Sequence, residues 1–316
     1  MNLEEEFALL RGELVAHCYR MLGSLHDAED AVQESYLRAW RGLKDFEGRS
    51  SIRTWLYRIA TNVCLNFLQH SSRRVVPSAL GAPGNDPEDL HAEALEVPWL
   101  EPFPDQLLGA DPATVVGDRE SVRLAMVAAM QHLPPRQRAV LILREVLTWP
   151  AADVASLLET TTTAVNSSLQ RARAELARLR PREDELSEPD EPLRRAMLDQ
   201  FSAAMVSKDL AVLEGLFTAD ARWEMPPIPT WFAGRRDVLR LLDAKLRPGP
   251  NHRLFTETSA NGQPAFAQYL AGKDGAYHAH SIKVLTLTTA GVSAVMAFHQ
   301  PALFPAFGLP LICRSS

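Results

Sequence analysis

Residues 147–179, LTWPAADVASLLETTTTAVNSSLQRARAELARL, decide how the middle of the chain folds. Pro150 suits the first turn of a helix over about 150–158, and a short threonine joint separates it from a second helix over about 162–179. At 100° per residue, one side of the second helix is apolar. That side carries Val165, Leu169, Ala172 and Leu176. The spacing therefore predicts two packed helices joined by a tight turn.

The opposite side of the second helix is polar. It carries Thr163, Ser167, Gln170 and Ala174, with Asn166, Arg171 and Arg173 beside them. Short and amide side chains suit base edges, while arginines reach phosphates. A solvated face of a plain helical bundle would look the same, so this face alone leaves both interpretations open. Five arginines against one acid over 160–182 favour DNA.

Charge is distributed unevenly along the chain. The 316 residues carry a net charge of −6, which taken whole argues against a nucleic-acid binder. Residues 1–75 are balanced, 76–118 carry nine acids and no lysine or arginine, 119–182 carry +5 and 183–316 carry −2. In the total charge, the acidic connector over 76–118 therefore outweighs the basic segment over 119–182.

Helical spacing dominates the first part of the chain. Ser24-Leu25-His26-Asp27 resembles a capping box and predicts a helix to about Leu43, and Gly48–Ser51 precede another to about His70. Prolines and acids interleave over 76–118 and predict an extended linker. A second charged, proline-punctuated boundary covers 183–192.

The last third changes character. Two helical runs, about 193–206 and 209–217, precede alternating segments that are typical of strands. These segments are 253–259, 265–270, 278–288 and 292–299. Asn261-Gly262 and Ala290-Gly291 stand where hairpin turns are needed. The pattern predicts an α+β domain with a curved antiparallel sheet.

Composition excludes several classes of protein. No stretch of eighteen uncharged apolar residues predicts a membrane span, and the acidic start lacks the features of a signal peptide, so we expect a cytoplasmic protein without membrane partners. Cys18, Cys64 and Cys313 fit neither a disulfide framework nor a zinc pattern. We expect small buried side chains there, and no metal or cofactor.

Four motifs resemble the sigma-70 family of bacterial RNA polymerase subunits. Asp27–Trp40 resembles region 2.2, and Thr54–Asn62 resembles the region 2.3–2.4 helix of the extracytoplasmic-function branch. Leu133–Val140 resembles the opening of region 4, and Ala164–Arg173 resembles its recognition helix. They stand in the family's order and cover about half of the chain.

The tail resembles one subgroup of that branch, the one that contains sigma factors G and J. The resemblance rests on Trp223–Pro227, Asn261–Ala265 and Phe307–Pro310. Members carry a C-terminal SnoaL-like domain of the cone-shaped NTF2 fold. The resemblance implies a multidomain protein with two all-α sigma domains, a region 2 helical bundle and a region 4 helix-turn-helix, followed by this α+β domain. The expected bounds are 1–75 for region 2, 76–118 for the acidic linker, 119–182 for region 4, 183–192 for a second linker and 193–316 for the tail.

The family implies roles for individual residues. Partners would be core RNA polymerase, through its β′ coiled coil and β flap, and promoter DNA. The polymerase would contact Asp30, Gln33, Glu34 and Arg38. The −10 element would contact Glu47, Gly48, Arg49, Ser50, Arg53, Tyr57, Arg58 and Asn62. The −35 element would contact Arg144, Thr163, Asn166, Ser167, Gln170, Arg171 and Arg173. No acid occurs over 48–85, which suits a phosphate track.

Three positions depart from many relatives. Asn166 and Ser168 stand where a cation is common, and Thr163 replaces glycine, so weaker non-specific attraction to DNA is expected. Trp55 is favoured as a core residue over a base-stacking platform. The acidic connector suits the basic walls of the polymerase cleft, and its apolar Trp99, Leu100 and Phe103 favour docking over a merely solvated linker.

The tail leaves two alternatives open. Possible cavity liners are Trp223, Tyr269, His278 and His280, and the two histidines, two residues apart, would share one strand face. A metal site would need a third ligand, for which Asp220 and His299 are weak candidates. The sequence places no acid–base dyad, so no catalytic residue is predicted. A tail that modulates the sigma factor is favoured, and a bifunctional protein with a small-molecule isomerase, cyclase or ligand-sensing tail is the alternative.

Overall fold

The structure, a computed structural model, describes residues 3–48, 50–70, 72–90, 97–108, 121–179, 188–246 and 252–314. The chain forms two compact units. A helical unit combines Met1–Arg74 with Leu100–Arg180, and a tail unit combines Val75–Trp99 with Pro181–Ser316. The predicted α and α+β architecture is confirmed.

Three long helices begin the helical unit. They are α1 (Leu3–Leu22), α2 (Leu25–Gly42) and α3 (Ile52–His70), with a short 3₁₀ turn at Leu43–Asp45. Ser24 is the N-cap of α2, and its Oγ accepts a hydrogen bond from the backbone N–H of Asp27 at 3.1 Å. The predicted helix start is therefore confirmed, because this side chain satisfies a backbone donor that the helix itself leaves unpaired.

Shorter helices complete the helical unit. They are α4 (Leu124–Met130), α5 (Pro135–Leu141), a π-helical turn (Ile142–Val146), α6 (Ala151–Leu157) and α7 (Thr162–Leu179). The predicted buried stripe of α7 is confirmed at all four positions, Val165, Leu169, Ala172 and Leu176. Pro150 lies at the N-cap of α6, one residue before the expected first turn. The helix pair predicted over 147–179 is confirmed.

A buried arginine on α5 joins the first and last parts of the helical unit. Arg138 donates to the Met21 carbonyl at the end of α1 and to Gln131 Oε1 at 2.7 Å. It also donates to the Gln131 and Leu133 carbonyls at 3.0 and 3.2 Å. Burial lowers the pKa of Arg138 to about 10. Carbonyls at a helix C-terminus carry partial negative charge, which stabilises a cation there.

The connector packs against both units. Glu101 accepts a hydrogen bond from Ser24 Oγ at 2.8 Å, and its own N–H donates to the Gly23 carbonyl at 3.0 Å. Leu100 and Phe103 are buried in the helical unit, and Trp99 is buried in the tail unit. The structure therefore differs from the expectation of an extended linker, and these apolar side chains are buried rather than merely solvated. Burial within the chain removes these side chains from water.

The tail unit places three helices on a seven-stranded sheet. The helices are α8 (Glu191–Ser207), α9 (Leu210–Leu216) and α10 (Arg235–Lys245). The strands are β1 (Phe217–Met225), β2 (Ile228–Ala233), β3 (Arg253–Ala260), β4 (Gln263–Ala271), β5 (Ala276–Thr288), β6 (Gly291–Phe298) and β7 (Ile312–Arg314). The strand order is β2-β1-β6-β5-β4-β3, with β7 on β5. Only β1 and β6 pair in parallel among the described strands.

Most of the predicted strands are confirmed. Asn261 and Gly262 have φ values of 59° and 68°, as the predicted hairpin turn between β3 and β4 requires. The strands β1, β2 and β7 and the helix α10 were not predicted. Helix α9 runs from Leu216 directly into β1 at Phe217, with Gly215 in its last turn and no loop between the two elements.

The buried His17 makes the stability of the helical unit depend on pH. Its Nε2 lies 2.9 Å from Thr61 Oγ1, and that hydroxyl donates to the Tyr57 carbonyl. His17 Nε2 is therefore the donor to Thr61, and the ring is neutral. Burial, with the nearby charge of Arg20, lowers the pKa of His17 to about 3.

We expect acidification to weaken the helical unit through His17. Its folded pKa lies below the ordinary value, so the stabilisation is complete above about pH 6.5 and is lost as the pH falls towards 3. Between pH 7 and pH 5 the free energy of unfolding should fall by about 2 kcal/mol. Hydrogen exchange of α1 and α3 measures it.

The matched variants are His17→Leu and His26→Gln, since His26 is exposed on α2. His17→Leu should remove most of this pH dependence, and His26→Gln should retain it. Equal pH dependence in His17→Leu and the parent chain would contradict the assignment.

Candidate functional site

One face of α2 is charged and also carries exposed apolar side chains. Asp30, Gln33 and Arg38 are exposed, and Arg38 Nε donates to the half-buried Glu34 at 2.7 Å. Leu37 and Trp40, four and seven residues after Gln33, are 41% and 60% exposed. A tryptophan this exposed beside charged groups is typical of an interaction surface.

Leu37 and Trp40 have no role that was predicted from the sequence. The signal that could have found them is their spacing from Gln33, which places them on the predicted polymerase face. On an amphipathic helix this face should be polar throughout, so the two apolar side chains stand out.

The predicted −10 residues lie on α3 and on the loop before it. Arg58 and Asn62 are exposed on α3, and Glu47, Gly48 and Ser50 are exposed in the loop. Arg49 lies outside the described residues. Trp55 is half-buried and packs against Phe46 with ring centroids 4.8 Å apart, which agrees with the preferred core interpretation.

Glu13 on α1 holds the other two predicted −10 residues. Arg53 donates to Glu13 Oε2 from Nε at 3.0 Å and from its terminal nitrogen at 2.6 Å. The Tyr57 hydroxyl donates to the same oxygen at 3.1 Å. Tyr57 is 1% exposed, and burial raises its pKa. A DNA contact by Tyr57 thus requires a rearrangement around Glu13, and its role stays a prediction.

The predicted −35 residues lie along α7. Thr163, Asn166 and Gln170 are exposed, Ser167 is half-buried, and Arg171 is exposed with its guanidinium 3.2 Å from Ser168 Oγ. These side chains occupy the side opposite the buried stripe, so α7 presents one continuous polar surface.

Two arginines of that set are engaged within the chain. Arg144 donates to the Trp149 carbonyl, and Arg173 donates to Glu145 Oε1 from two nitrogens at 3.2 and 2.5 Å. Glu145 and Glu13 thus play equivalent parts on the two predicted DNA surfaces. The sequence analysis missed both acids, because their partners are 28 and 40 residues away along the chain.

The first half of the connector forms a strap across the tail unit, defined here as residues 75–90. Ser78 donates to Glu224 on β1 from its N–H at 2.9 Å and from its Oγ at 3.1 Å. Glu224 is 8% exposed, and burial raises its pKa. A buried carboxylate is costly unless donors satisfy it, and Ser78 supplies two.

Further contacts continue along the strap. Trp231 on β2 donates from Nε1 to the Gly81 carbonyl at 2.9 Å, and its own carbonyl accepts from Gly84 N–H at 2.7 Å. Arg240 on α10 donates to the Asn85 carbonyl at 2.9 Å, and Leu90 packs against the core of the unit. The strap is thus an integral part of the tail unit.

The four predicted cavity residues lie in three different places in the tail unit. Trp223 is buried near Lys283, and the His280 ring lies 4.8 Å from that of His299. Tyr269 is also buried, but its ring packs against Phe304 and its hydroxyl donates to the Pro310 carbonyl at 3.0 Å. His278 lies near the start of β5, with its Nε2 3.0 Å from Asp274 in the turn before that strand.

Metal-ligand clusters and membrane-spanning helices are both absent from the described ranges. No group of three or more His, Cys, Asp or Glu residues is arranged there to hold a metal ion. Those ranges also contain no helix long and apolar enough to cross a bilayer. Cys18 and Cys64 are buried as free thiols, and Cys313 is half-buried.

Comparisons with known proteins identify both helical regions. The family descriptions "Sigma-70 region 2" and "Sigma-70, region 4" match residues 7–74 and 123–176. The ECF RNA polymerase sigma factor SigG of Mycobacterium tuberculosis is 50% identical over 303 residues, covering 95% of this chain and 82% of the relative. SigJ of the same species is 28% identical over 90% of this chain and 86% of its own.

The fold agrees with a solved structure. The crystal structure of the M. tuberculosis extracytoplasmic function sigma factor SigJ matches with a TM-score of 0.64 at 24% identity, covering 98% of this chain and all of the other. The similarity extends through the strand-rich tail, since almost the whole chain is aligned. Two sigma-70 family models match in order, and SigG is 50% identical along nearly the whole chain. This protein therefore belongs to the extracytoplasmic-function family of RNA polymerase sigma factors.

Proposed function

We propose that this chain is an alternative sigma factor that binds core RNA polymerase and directs promoter recognition at the −10 and −35 elements. The observation that carries this proposal is the polar face of α7, set opposite a fully buried stripe within a helix-turn-helix. Asn166 and Gln170 read base edges there, and Arg171 and Arg173 contact phosphates. The loop before α3, with Arg58 and Asn62, receives the −10 element.

The α2 face binds the polymerase. Asp30, Gln33, Glu34 and Arg38 supply the polar contacts, and Leu37 and Trp40 supply apolar area at the centre. Aromatic side chains are enriched at the core of protein interfaces, whereas isolated surface charges contribute little affinity. The partner surface is the coiled coil of β′, while region 4 meets the β flap.

The helical unit is shorter than the distance between the two promoter elements, so it must open before both elements are bound. Elements named −35 and −10 lie about 25 base pairs apart, or about 85 Å along B-DNA. A compact unit of about 155 residues has a diameter on the order of 40 Å. The packing of Arg138 on Met21 and of Glu101 on Ser24 is therefore a resting arrangement that polymerase and promoter replace.

The tail holds the sigma factor in this resting state through the strap. The strap belongs to the connector between the two sigma regions, and Glu224, Trp231 and Arg240 of the tail hold its backbone and Ser78. A connector that is held in this way cannot extend freely. Release of the strap would therefore favour the open, promoter-binding form.

Substitutions on α7 should separate base reading from phosphate binding. Asn166→Ala or Gln170→Ala should change which −35 sequence is preferred, by about 1–3 kcal/mol at one base position. Arg173→Ala should weaken all promoters similarly and reduce the salt slope by about 1. Promoter-binding titrations of the holoenzyme at several salt concentrations measure both. A uniform loss for all three variants would contradict the assigned roles.

Loss of the Glu145 carboxylate should strengthen promoter binding. Glu145→Gln frees Arg173 from its partner, so the guanidinium reaches phosphate without first breaking an ion pair. The holoenzyme should bind promoter DNA several-fold more tightly at low salt, with a steeper salt dependence. Glu5→Gln, the same charge change at an exposed position of α1, is the control. Equal gains from both variants would show a net-charge effect and reject the role of Glu145.

Weakening the strap should raise transcription. Ser78→Ala removes the Oγ donor to the buried Glu224 and keeps the backbone N–H donor, so the docked strap loses about 1–3 kcal/mol. Transcription in vitro with core polymerase should rise at least about threefold by mass action. Ser72→Ala, at an exposed serine that precedes the strap, is the control.

A deletion after Arg182 tests the same idea more coarsely, since it removes the tail that holds the strap. It should raise transcription as well. Limited proteolysis of residues 75–90 reports strap release independently. Release without any change in transcription would remove the regulatory role of the tail, and failure of every form to bind core polymerase would reject the sigma-factor function itself.

A further inference from the structure

Four basic side chains lie on the side of the tail sheet that faces α8. They are Arg253 on β3, His280 and Lys283 on β5, and His299 just after β6. Residues that pair across neighbouring strands point to the same side of a sheet. Lys283 pairs with Phe266 on β4 and with Ala297 on β6, so these three side chains share one side. Phe266 packs on Phe201 of α8 with ring centroids 5.9 Å apart. The cluster therefore lies at the edge of the core of this unit.

Lys283 is the centre of the cluster. It is 3% exposed, and its Nζ donates to Gln268 Oε1 at 2.5 Å and to Ser281 Oγ at 2.7 Å. The same nitrogen lies 6.0 Å from the centre of the Trp223 ring. Both hydrogen-bond acceptors are neutral, so neither compensates a full positive charge. Buried lysines normally have an anionic partner.

A β-bulge brings His280 to this group. Ser281 pairs with Gln268, but Ala279 pairs with Tyr269, so His280 is an extra residue in β5. Bulges of this kind redirect side chains and recur next to binding sites. His280 faces His299 from the adjoining strand end, with the rings 4.8 Å apart and nearly perpendicular.

Three members of the cluster have no acidic partner among the described residues. No carboxylate there forms an ion pair or hydrogen bond with Lys283, His280 or His299. Burial, with Arg253 nearby, lowers the pKa of Lys283 to about 7. Burial and the Lys283 charge lower the pKa of His280 to about 4 and that of His299 to about 3. A bound anion would reverse this balance by stabilising the ammonium.

We propose that the cluster around Lys283 binds the carboxylate of a small organic acid, whose apolar part lies against Trp223. The ammonium of Lys283 holds the carboxylate, Ser281 and His280 adjust to accept or donate beside it, and the surrounding core side chains favour an apolar body. Trp223, Phe266, Leu285 and Val295 belong to that core.

Inorganic phosphate fits this site less well. A phosphate needs several charged donors around its oxygens, whereas both histidines here are neutral and Arg253 already donates to the Met205 carbonyl, which leaves one ammonium beside apolar and aromatic side chains. Ligand sites that are mostly apolar and contain a few polar groups suit organic acids. The remaining interpretation, a lysine that only stabilises the fold, predicts no ligand binding and is one outcome of the test.

The experiment is calorimetry on the full-length protein, with benzoate as the probe and benzamide as its neutral counterpart. Benzoate should bind saturably, and benzamide should not. The pKa of Lys283 near 7 means that binding at pH 8 should take up close to one proton. Arg253 from β3, His280 from β5 and His299 from the end of β6 are the other charged or titratable groups that face it. Both histidines stay neutral across this range, so affinity should fall about tenfold per pH unit above 8.

Two matched variants assign the binding to Lys283. Lys283→Met replaces the amine by an apolar side chain of similar length and should weaken benzoate at least tenfold. Lys273→Met, an exposed lysine near the β4–β5 turn, should bind as the parent does. Circular dichroism checks that Lys283→Met is folded, and proton uptake by the parent protein tests the proposal without any variant.

Any of three binding results overturns the proposal. They are no saturable benzoate binding, undiminished binding by Lys283→Met, or binding of phosphate in preference to benzoate. Absence of proton uptake at pH 8 would also overturn it. Transcription with core polymerase is a separate measurement, so failure of this site leaves the sigma-factor function standing.

Discussion

The helical unit depends on one buried guanidinium. Arg138, near the start of region 4, donates to the carbonyl of Met21 at the end of the first helix of region 2, and to Gln131 and Leu133 of its own region. Removing it would leave carbonyls from both regions without a donor in the protein interior, at about 1–3 kcal/mol each. Backbone carbonyls, and no carboxylate, accept these hydrogen bonds. The contact therefore fixes the geometry of the two regions without forming an ion pair. Two regions that bind separate DNA elements are thus held together by interactions that water or a partner can replace.

Pairing of charges within the chain follows the same logic on the two surfaces that are proposed to bind DNA. Glu13 engages Arg53 and Tyr57 on one surface, and Glu145 engages Arg173 on the other. Exposed ion pairs of this kind contribute at most about 1 kcal/mol, so phosphate can displace the acids at little cost. They nevertheless reduce the net attraction of the free protein for DNA of any sequence. The weak charge of α7, in which Asn166 and Ser168 are neutral, acts in the same direction.

Sequence patterns predicted those features that depend on local spacing. The cap at Ser24, the buried stripe of α7 and the turn at Asn261 and Gly262 each follow from residues within one or two turns of chain. Features built from distant residues escaped prediction. The parallel pairing of β1 with β6 joins residues about seventy positions apart, and Glu224 finds Ser78 across 146 positions. Lys283 looked like an ordinary polar position of an alternating strand, since only the folded sheet reveals that both sides of β5 are covered. The connector was predicted to be extended for a related reason. Its prolines and acids indicate local stiffness and charge, but they do not show which surface of the folded chain the connector packs against.

The two sides of one strand join the regulatory and binding features of the tail. Trp223 and Glu224 are consecutive on β1, so their side chains point to opposite sides of the sheet. Glu224 holds the strap on one side, and Trp223 borders the Lys283 cluster on the other. A shift of β1 therefore moves both groups together. A ligand changes strap docking only to the extent that its affinity differs between the docked and released forms, and linkage makes that coupling reciprocal. Closely packed sheet residues transmit displacement rather than absorb it, because interiors are dense. The strand thus gives an organic acid a direct mechanical route to the connector between the two sigma regions.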